Sequence, residues 1–202
     1  MARVTITQLR AQIVELQQAG ATLRAENDRL RDIAFTDGLT KLLKREPVLD
    51  RLMRELNVAQ AANKGKRAPH DGVKSFAVVS CDLVGFKDVN DTKGHGAGDA
   101  VLVQTATALT KAVRMNDLVS RWCGDEFLLV LWNISPEDVL TVLDRALRNV
   151  REIEGVDIRM GCAVWKSGSA PVNPQTLVDI ADRNERELHK QGKRGYLLTI
   201  CE

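Results

Sequence analysis

Between residues 4 and 34 the chain has no proline, and its seam positions recur at alternating steps of three and four: Ile6, Leu9, Ile13, Leu16, Gly20, Leu23, Asn27, Leu30 and Ala34. That period predicts a long helix whose a and d positions form a coiled-coil seam, with Leu at every d position from Leu9 onward. Asn27 at an a position favours a parallel two-stranded pairing, because each buried amide satisfies its mate across the axis. Glu26 at g and Arg31 at the following e suit an interchain salt bridge in the same orientation. The other use of such a helix is to pack on its own domain, and Gly20 and Ala34 weaken the seam. An isolated helix of this length is marginally stable, so pairing would draw on the rest of the chain as well. The expected division is a dimerisation helix over 1–35 and one globular domain over 36–202.

Past the turn at Thr36-Asp37-Gly38 the pattern changes repeatedly between periods. A helix beginning near Pro47 carries Leu49, Leu52, Met53, Leu56 and Ala59 on one face. Residues 63–74 are basic, contain Gly and Pro, lack a period and read as a loop. Phe76 to Cys81 is an apolar strand, followed by a short helix near Phe86–Asp91 and a longer one from about Gly98 to Val113. Leu118-Val119 and Phe127 to Trp132 flank a tight turn as a hairpin. Ser135-Pro136-Glu137-Asp138 marks a capped helix start, running to about Val150. A strand at Ile158–Trp165, a helix from Pro174 to Lys190 and a strand at Tyr196–Ile200 complete the order. This suits the α+β class, an antiparallel-type sheet with helices on one face.

With 202 residues there is room for one ordinary domain and an extension. The net charge of +2, with acids and bases interspersed and few aromatics, gives no basic stripe for nucleic acid. Cys81, Cys123, Cys162 and Cys201 show no C-x-x-C spacing and read as reduced core thiols of a cytoplasmic protein. No apolar run is long enough to span a bilayer, and the polar N-terminus lacks a signal peptide's apolar region.

The candidate chemistry lies in the hairpin turn of Arg121-Trp122-Cys123-Gly124-Asp125-Glu126-Phe127, where two carboxylates are adjacent. A second strand ends in Asp82. Two strands that each deliver acids to one sheet edge can hold Mg²⁺, a hard cation that takes oxygen ligands and shares them with nucleotide phosphates.

These residues resemble the diguanylate cyclase (GGDEF) family. Asp37-Gly38-Leu39-Thr40-Lys41-Leu42-Leu43-Lys44-Arg45 is similar to its entry motif D-x-L-T-x-L-x-N-R, and Arg121 to Phe127 to its R-Y-G-G-D-E-F. Asp82, Phe86-Lys87, Asn90-Asp91, Gly94-His95 and Gly98-Asp99 fit its nucleotide segment, so the resemblance covers about residues 36 to 202. It implies a ferredoxin-like palm that condenses two GTP into cyclic di-GMP with Mg²⁺ or Mn²⁺, in a homodimer. The implied metal ligands are Asp82, the Leu83 carbonyl, Asp125 and Glu126, with Asp125 and Glu126 as the catalytic acids. Asn90 and Asp99 would read guanine, Lys87 would meet phosphate, and Cys123, Gly124 and Lys193 would line the substrate. Arg114 and Asp117 fit an R-x-x-D product-inhibition site, with Arg145 as a second arginine.

The pattern is broken in places. Cys123 replaces the first motif glycine, Val84 a second acid after Asp82, and the late helix carries His189 and Lys193 where the family has Lys and Arg. Lys190 or Arg194 would have to substitute. The alternative function is a non-catalytic receptor for GTP or cyclic di-GMP that signals through its helix.

Overall fold

The computed structural model describes residues 6–63 and 73–201. Helix α1 (Ile6–Phe35) leads into α2 (Arg45–Asn63), and the sequence then runs β1 (Ser75–Val84), α3 (Phe86–Lys93), α4 (His95–Ala112), β2 (Leu118–Cys123), β3 (Glu126–Trp132), α5 (Pro136–Arg151), β4 (Asp157–Lys166), α6 (Pro174–Lys190) and β5 (Gly195–Cys201). The expected loop at 63–74 falls almost wholly outside the described residues. Among the described residues, no helix is long and apolar enough to cross a membrane.

The five strands lie in the order β2-β3-β1-β4-β5. The first four, with α3/α4 and α5 between them, form the antiparallel βαββαβ palm. β5 departs from the antiparallel expectation: it joins β4 in parallel, because α6 carries the chain back across the sheet before the last strand begins. Helices also cover both faces rather than one. Side chains alternate across a strand, so Ala77, Val79 and Cys81 of β1 pack with Leu102, Leu109, Leu143 and Ala146 of α4 and α5. Phe76 and Val78 face the other way, onto Leu52 and Leu56 of α2 and Leu177 and Val178 of α6. β1, β3 and β4 are thus buried on both sides, which explains their nearly continuous apolar runs.

Local chemistry sets the helix ends near the site. Ser135 Oγ accepts from the Asp138 N–H with Pro136 in the first turn of α5, and Asn173 plays the same part for α6. α4 begins at His95 rather than Gly98, so most of the Gly-rich turn is its first turn.

In α1, Ile13, Leu16, Leu23 and Leu30 are exposed, Leu16 and Leu23 by 73% and 71%. Packing of the helix on its own domain is therefore not what the described residues show. Its exit is pinned: Thr36 donates to Asp32 O, and Lys44 Nζ to Ile33 O at 2.8 Å.

Candidate active site

The hairpin closes with Gly124 and Asp125 between β2 and β3, Gly124 taking φ +55°, which glycine adopts without strain. A register shift between Arg121 and Cys123 re-aims the end of β2. Glu126 is the first residue of β3 and pairs directly with Asp82 on β1; Asp82 in turn pairs with Arg159 on β4. Directly paired residues share a face, so Glu126, Asp82 and Arg159 form a row across three strands, on the side that α6 covers.

α6 adds to this row. Gly161 lies two residues beyond Arg159, and a Cβ there would overlap Ala181 O and Glu185 N. Without that atom α6 settles against β4 and delivers Glu185, and one turn later His189, over Arg159. Arg159 Nε donates to Glu185 Oε1 at 2.9 Å, an Nη pairs with Asp82 Oδ2, and the same Nη is 3.2 Å from His189 Nδ1. Asp82, Glu185 and His189 place potential ligand atoms within 4.8 Å of one another, and the Arg159 guanidinium stands among them.

Negative charge is in excess. Burial raises the Glu126 carboxyl above its usual range, with further pushes from Asp82, Asp182, Asp125 and Glu185. Burial also raises Asp82, with Glu185 and Asp125 adding to the rise and Arg159 opposing it. Among the described residues, the side chains of Asp125 and Glu126 have no hydrogen-bond or ion-pair partner. Hard oxygen donors left unneutralised in this way fit a divalent cation such as Mg²⁺ or Mn²⁺.

The remaining expected residues spread around this centre. The Leu83 side chain is buried in the opposite layer, which leaves only its backbone on offer. Lys87 and Asp99 are exposed on α3 and α4. Asn90 lies against Gly98, where a Cβ would collide with its Oδ1, so this glycine makes room for the asparagine. Cys123 is exposed at the end of β2, unlike the buried Cys81 and Cys162, whose thiols burial pushes up. Lys193 is exposed just after α6, its N–H closing on Leu188 O. Arg194 turns to Asp157 at 3.3 Å.

Around Arg114 the chain makes a turn. Asp117 accepts from the Arg114 and Trp132 N–H groups at 2.9 and 3.1 Å, and Arg145 caps α4 through Ala112 O, Nε at 2.7 Å. The Arg114 side chain is exposed at the edge of an open pocket of about 380 Å³ that Lys41, Thr110 and Asp117 also line.

Arg159, Glu185 and Asp182 were not among the expected site residues. The available signal was an arginine inside the apolar run Ile158-Arg159-Met160, since a charge placed in a buried strand needs a carboxylate partner.

Comparison with known proteins gives the family and the fold. Residues 34–195 match the family described as diguanylate cyclase, GGDEF domain. Diguanylate cyclase TpbB of Pseudomonas aeruginosa is 34% identical over 184 residues, 91% of this chain and 39% of its own length. The bifunctional diguanylate cyclase/cyclic di-GMP phosphodiesterase MucR of the same organism is 30% identical over 181 residues, 87% of this chain and 25% of its own. The chain thus spans well under half the length of these relatives. Among solved structures, diguanylate cyclase SiaD in complex with its activator SiaC, from P. aeruginosa, is 27% identical with a TM-score of 0.71, over 96% of this chain and 73% of that one. The coiled coil and GGDEF domain of DgcB from Caulobacter crescentus, in complex with c-di-GMP, superposes with a TM-score of 0.79 over 95% and 99%; at 22% identity this is a likeness of fold. With its family match covering most of the sequence and its acids at the strand ends, the chain belongs to the diguanylate cyclase, GGDEF domain family.

Proposed function

We propose that this domain condenses two GTP into cyclic di-GMP, as half of a dimer. The observation that carries the reading is the cross-strand pair of Asp82 and Glu126, with Asp125 beside it in the turn and an excess of negative charge shared among them. A receptor that only bound nucleotide would have no use for keeping Asp125 and Glu126 without a counter-charge beside Asp82.

In the reaction the 3′-hydroxyl oxygen of each GTP attacks the α-phosphorus of the other. Two P–O bonds form, two bonds to the β-phosphates break, two pyrophosphates leave, and each hydroxyl gives up its proton. A divalent cation, when bound, supplies charge neutralisation for the triphosphate and the developing pyrophosphate. Asp82, Asp125, Glu126 and the Leu83 carbonyl are the groups that would hold it. Asn90 and Asp99 would orient guanine, Lys87 and Lys193 would attract phosphate, and Cys123 and Gly124 would border the nucleotide. Arg114, with Asp117 and Arg145 behind it, would bind product away from the reacting groups.

Each domain provides one such acid row, so closing a ring from two GTP requires two domains face to face. The exposed Ile13, Leu16, Leu23 and Leu30 stripe supports pairing through a parallel coiled coil. The test is to incubate purified protein with GTP and Mg²⁺ or Mn²⁺ and to separate products by chromatography. Cyclic di-GMP and pyrophosphate are expected; nucleotide binding without turnover would favour the receptor.

A further inference from the structure

Arg159 is the half-buried cation of the acid row, its side chain only 12% exposed, and β4 and α6 together fix it. β4 sets it beside Asp82 in register, Gly161 lets α6 approach, and Glu185 on α6 holds its Nε. The other polar groups around the row are Glu126, Asp125, Asp182 with its partner Arg186 at 3.8 Å, and the His189 ring. Glu185, 11% exposed at its side chain, is costly to bury without such a partner, and its contact with Arg159 Nε does not involve Asp82. The guanidinium is therefore tethered at one end and engages Asp82 Oδ2 at the other.

We propose that Arg159 is a positioning residue that sets the cation specificity of the site: by keeping Asp82 Oδ2 for itself it leaves Asp82 one oxygen, Oδ1, for a divalent cation. The inference rests on the assignment of Asp82 as a metal ligand under the proposed function. Mg²⁺ takes roughly six oxygens in a tight octahedron, each carboxylate giving one, whereas Ca²⁺ takes about six to eight and accepts carboxylates through both oxygens. A carboxylate restricted to one oxygen suits the smaller ion and handicaps the larger. Arg159 thus acts on the cation through Asp82, without touching it.

The experiment titrates Mg²⁺, Mn²⁺ and Ca²⁺ into the full chain by calorimetry, with and without a non-hydrolysable GTP analogue. Arg159→Met is compared with the wild type. Because that change strands Glu185 as a buried unpaired charge, Arg159→Met/Glu185→Gln is the second variant, and circular dichroism establishes that it is folded. Release of Asp82 Oδ2 should move the Ca²⁺-to-Mg²⁺ affinity ratio toward Ca²⁺ by roughly tenfold or more, the scale of change when groups that orient metal ligands are altered. An unchanged ratio in a folded variant whose Mn²⁺ binding still depends on Asp82 overturns the role of Arg159 and leaves the proposed function standing. Wild-type Mn²⁺ binding that survives Asp82→Asn overturns the Asp82 assignment, and this proposal with it.

Discussion

Arg121, in the strand that leads into the acidic turn, is salt-bridged to Asp37, 84 residues earlier at the exit of α1. Its Nη1 lies 3.1 and 3.3 Å from the two carboxylate oxygens, while its Nε donates to Gly124 O at 2.8 Å. One guanidinium therefore joins the end of the long helix to the turn that carries Asp125. The junction is reinforced by Ser120 Oγ and the Arg121 N–H, both donating to Leu43 O, and by Thr40, whose N–H and hydroxyl donate to Asp37. A loose swivel at Asp37-Gly38 would let paired domains swing freely; the turn is instead a braced corner.

This junction gives the first prediction. Both side chains are largely shielded, so the pair is worth more than a surface ion pair. A double-mutant cycle of Asp37→Asn and Arg121→Gln should return a coupling of about 2 kcal/mol in urea unfolding. Turnover should fall with it, since Gly124 loses its tie. Additive effects on both stability and rate would show that the bridge couples nothing.

Replacing Glu126 with Gln, or Asp82 with Asn, should lower cyclic di-GMP formation roughly 100-fold or more, because each removes a charge opposed to the transferring phosphate's counter-ion. Both variants should remain folded by circular dichroism, and Glu126→Gln should even be slightly stabilised, since burial and its acidic neighbours already raise the Glu126 carboxyl. Wild-type turnover in either variant contradicts the metal assignment.

The seam of α1 should control activity through concentration. Leu16→Glu/Leu23→Glu should lower both dimer content in light scattering and specific activity at dilute protein, with partial recovery as concentration rises. Asn27→Ile should strengthen association while loosening the preference for two strands. A fully dimeric and active Leu16/Leu23 variant would remove the helix from this account.

Product feedback should depend on Arg114 rather than on its neighbours. Asp117 and Arg145 are engaged with the backbone at Arg114, Trp132 and Ala112, whereas the Arg114 side chain is exposed over the pocket. Arg114→Ala should therefore weaken cyclic di-GMP binding in calorimetry and relieve inhibition without loss of stability. Asp117→Ala should also destabilise the fold. Equal product affinity with and without Arg114 would refute the site.

Acid tolerance offers a test at Asp157. Burial alone would raise its carboxyl, but the Ile158 N–H, Arg151 and Arg194 together hold it below the usual range. A lowered folded value means stabilisation that is fully present above the unfolded value of about 3.9 and is lost as pH falls through the folded one. The stability gap between wild type and Asp157→Asn should therefore be constant from neutral pH down to about 4 and narrow below it. A gap that widens in acid would reverse the sign of this argument.

Periodicity in the sequence determined much of this protein. The steps of three and four in the first 34 residues, the capped start at Ser135, and the apolar runs of β1, β3 and β4 are local signals, set by helix and strand geometry within a few residues. The acids Asp82, Asp125 and Glu126 were legible because each ends or begins such a run. Which strand lies beside which is not a local property. The parallel placement of β5, the second helical layer of α2 and α6, and the pairing of Asp82 with Arg159 depend on contacts between distant segments, 77 residues apart in the last case. Arg159 and Glu185 stood in the sequence as an isolated arginine in a strand and one of several charges on a helix. Only the fold decided that Gly161, by lacking a side chain, would bring that helix close enough for the two to meet over Asp82, where burial makes an ion pair obligatory.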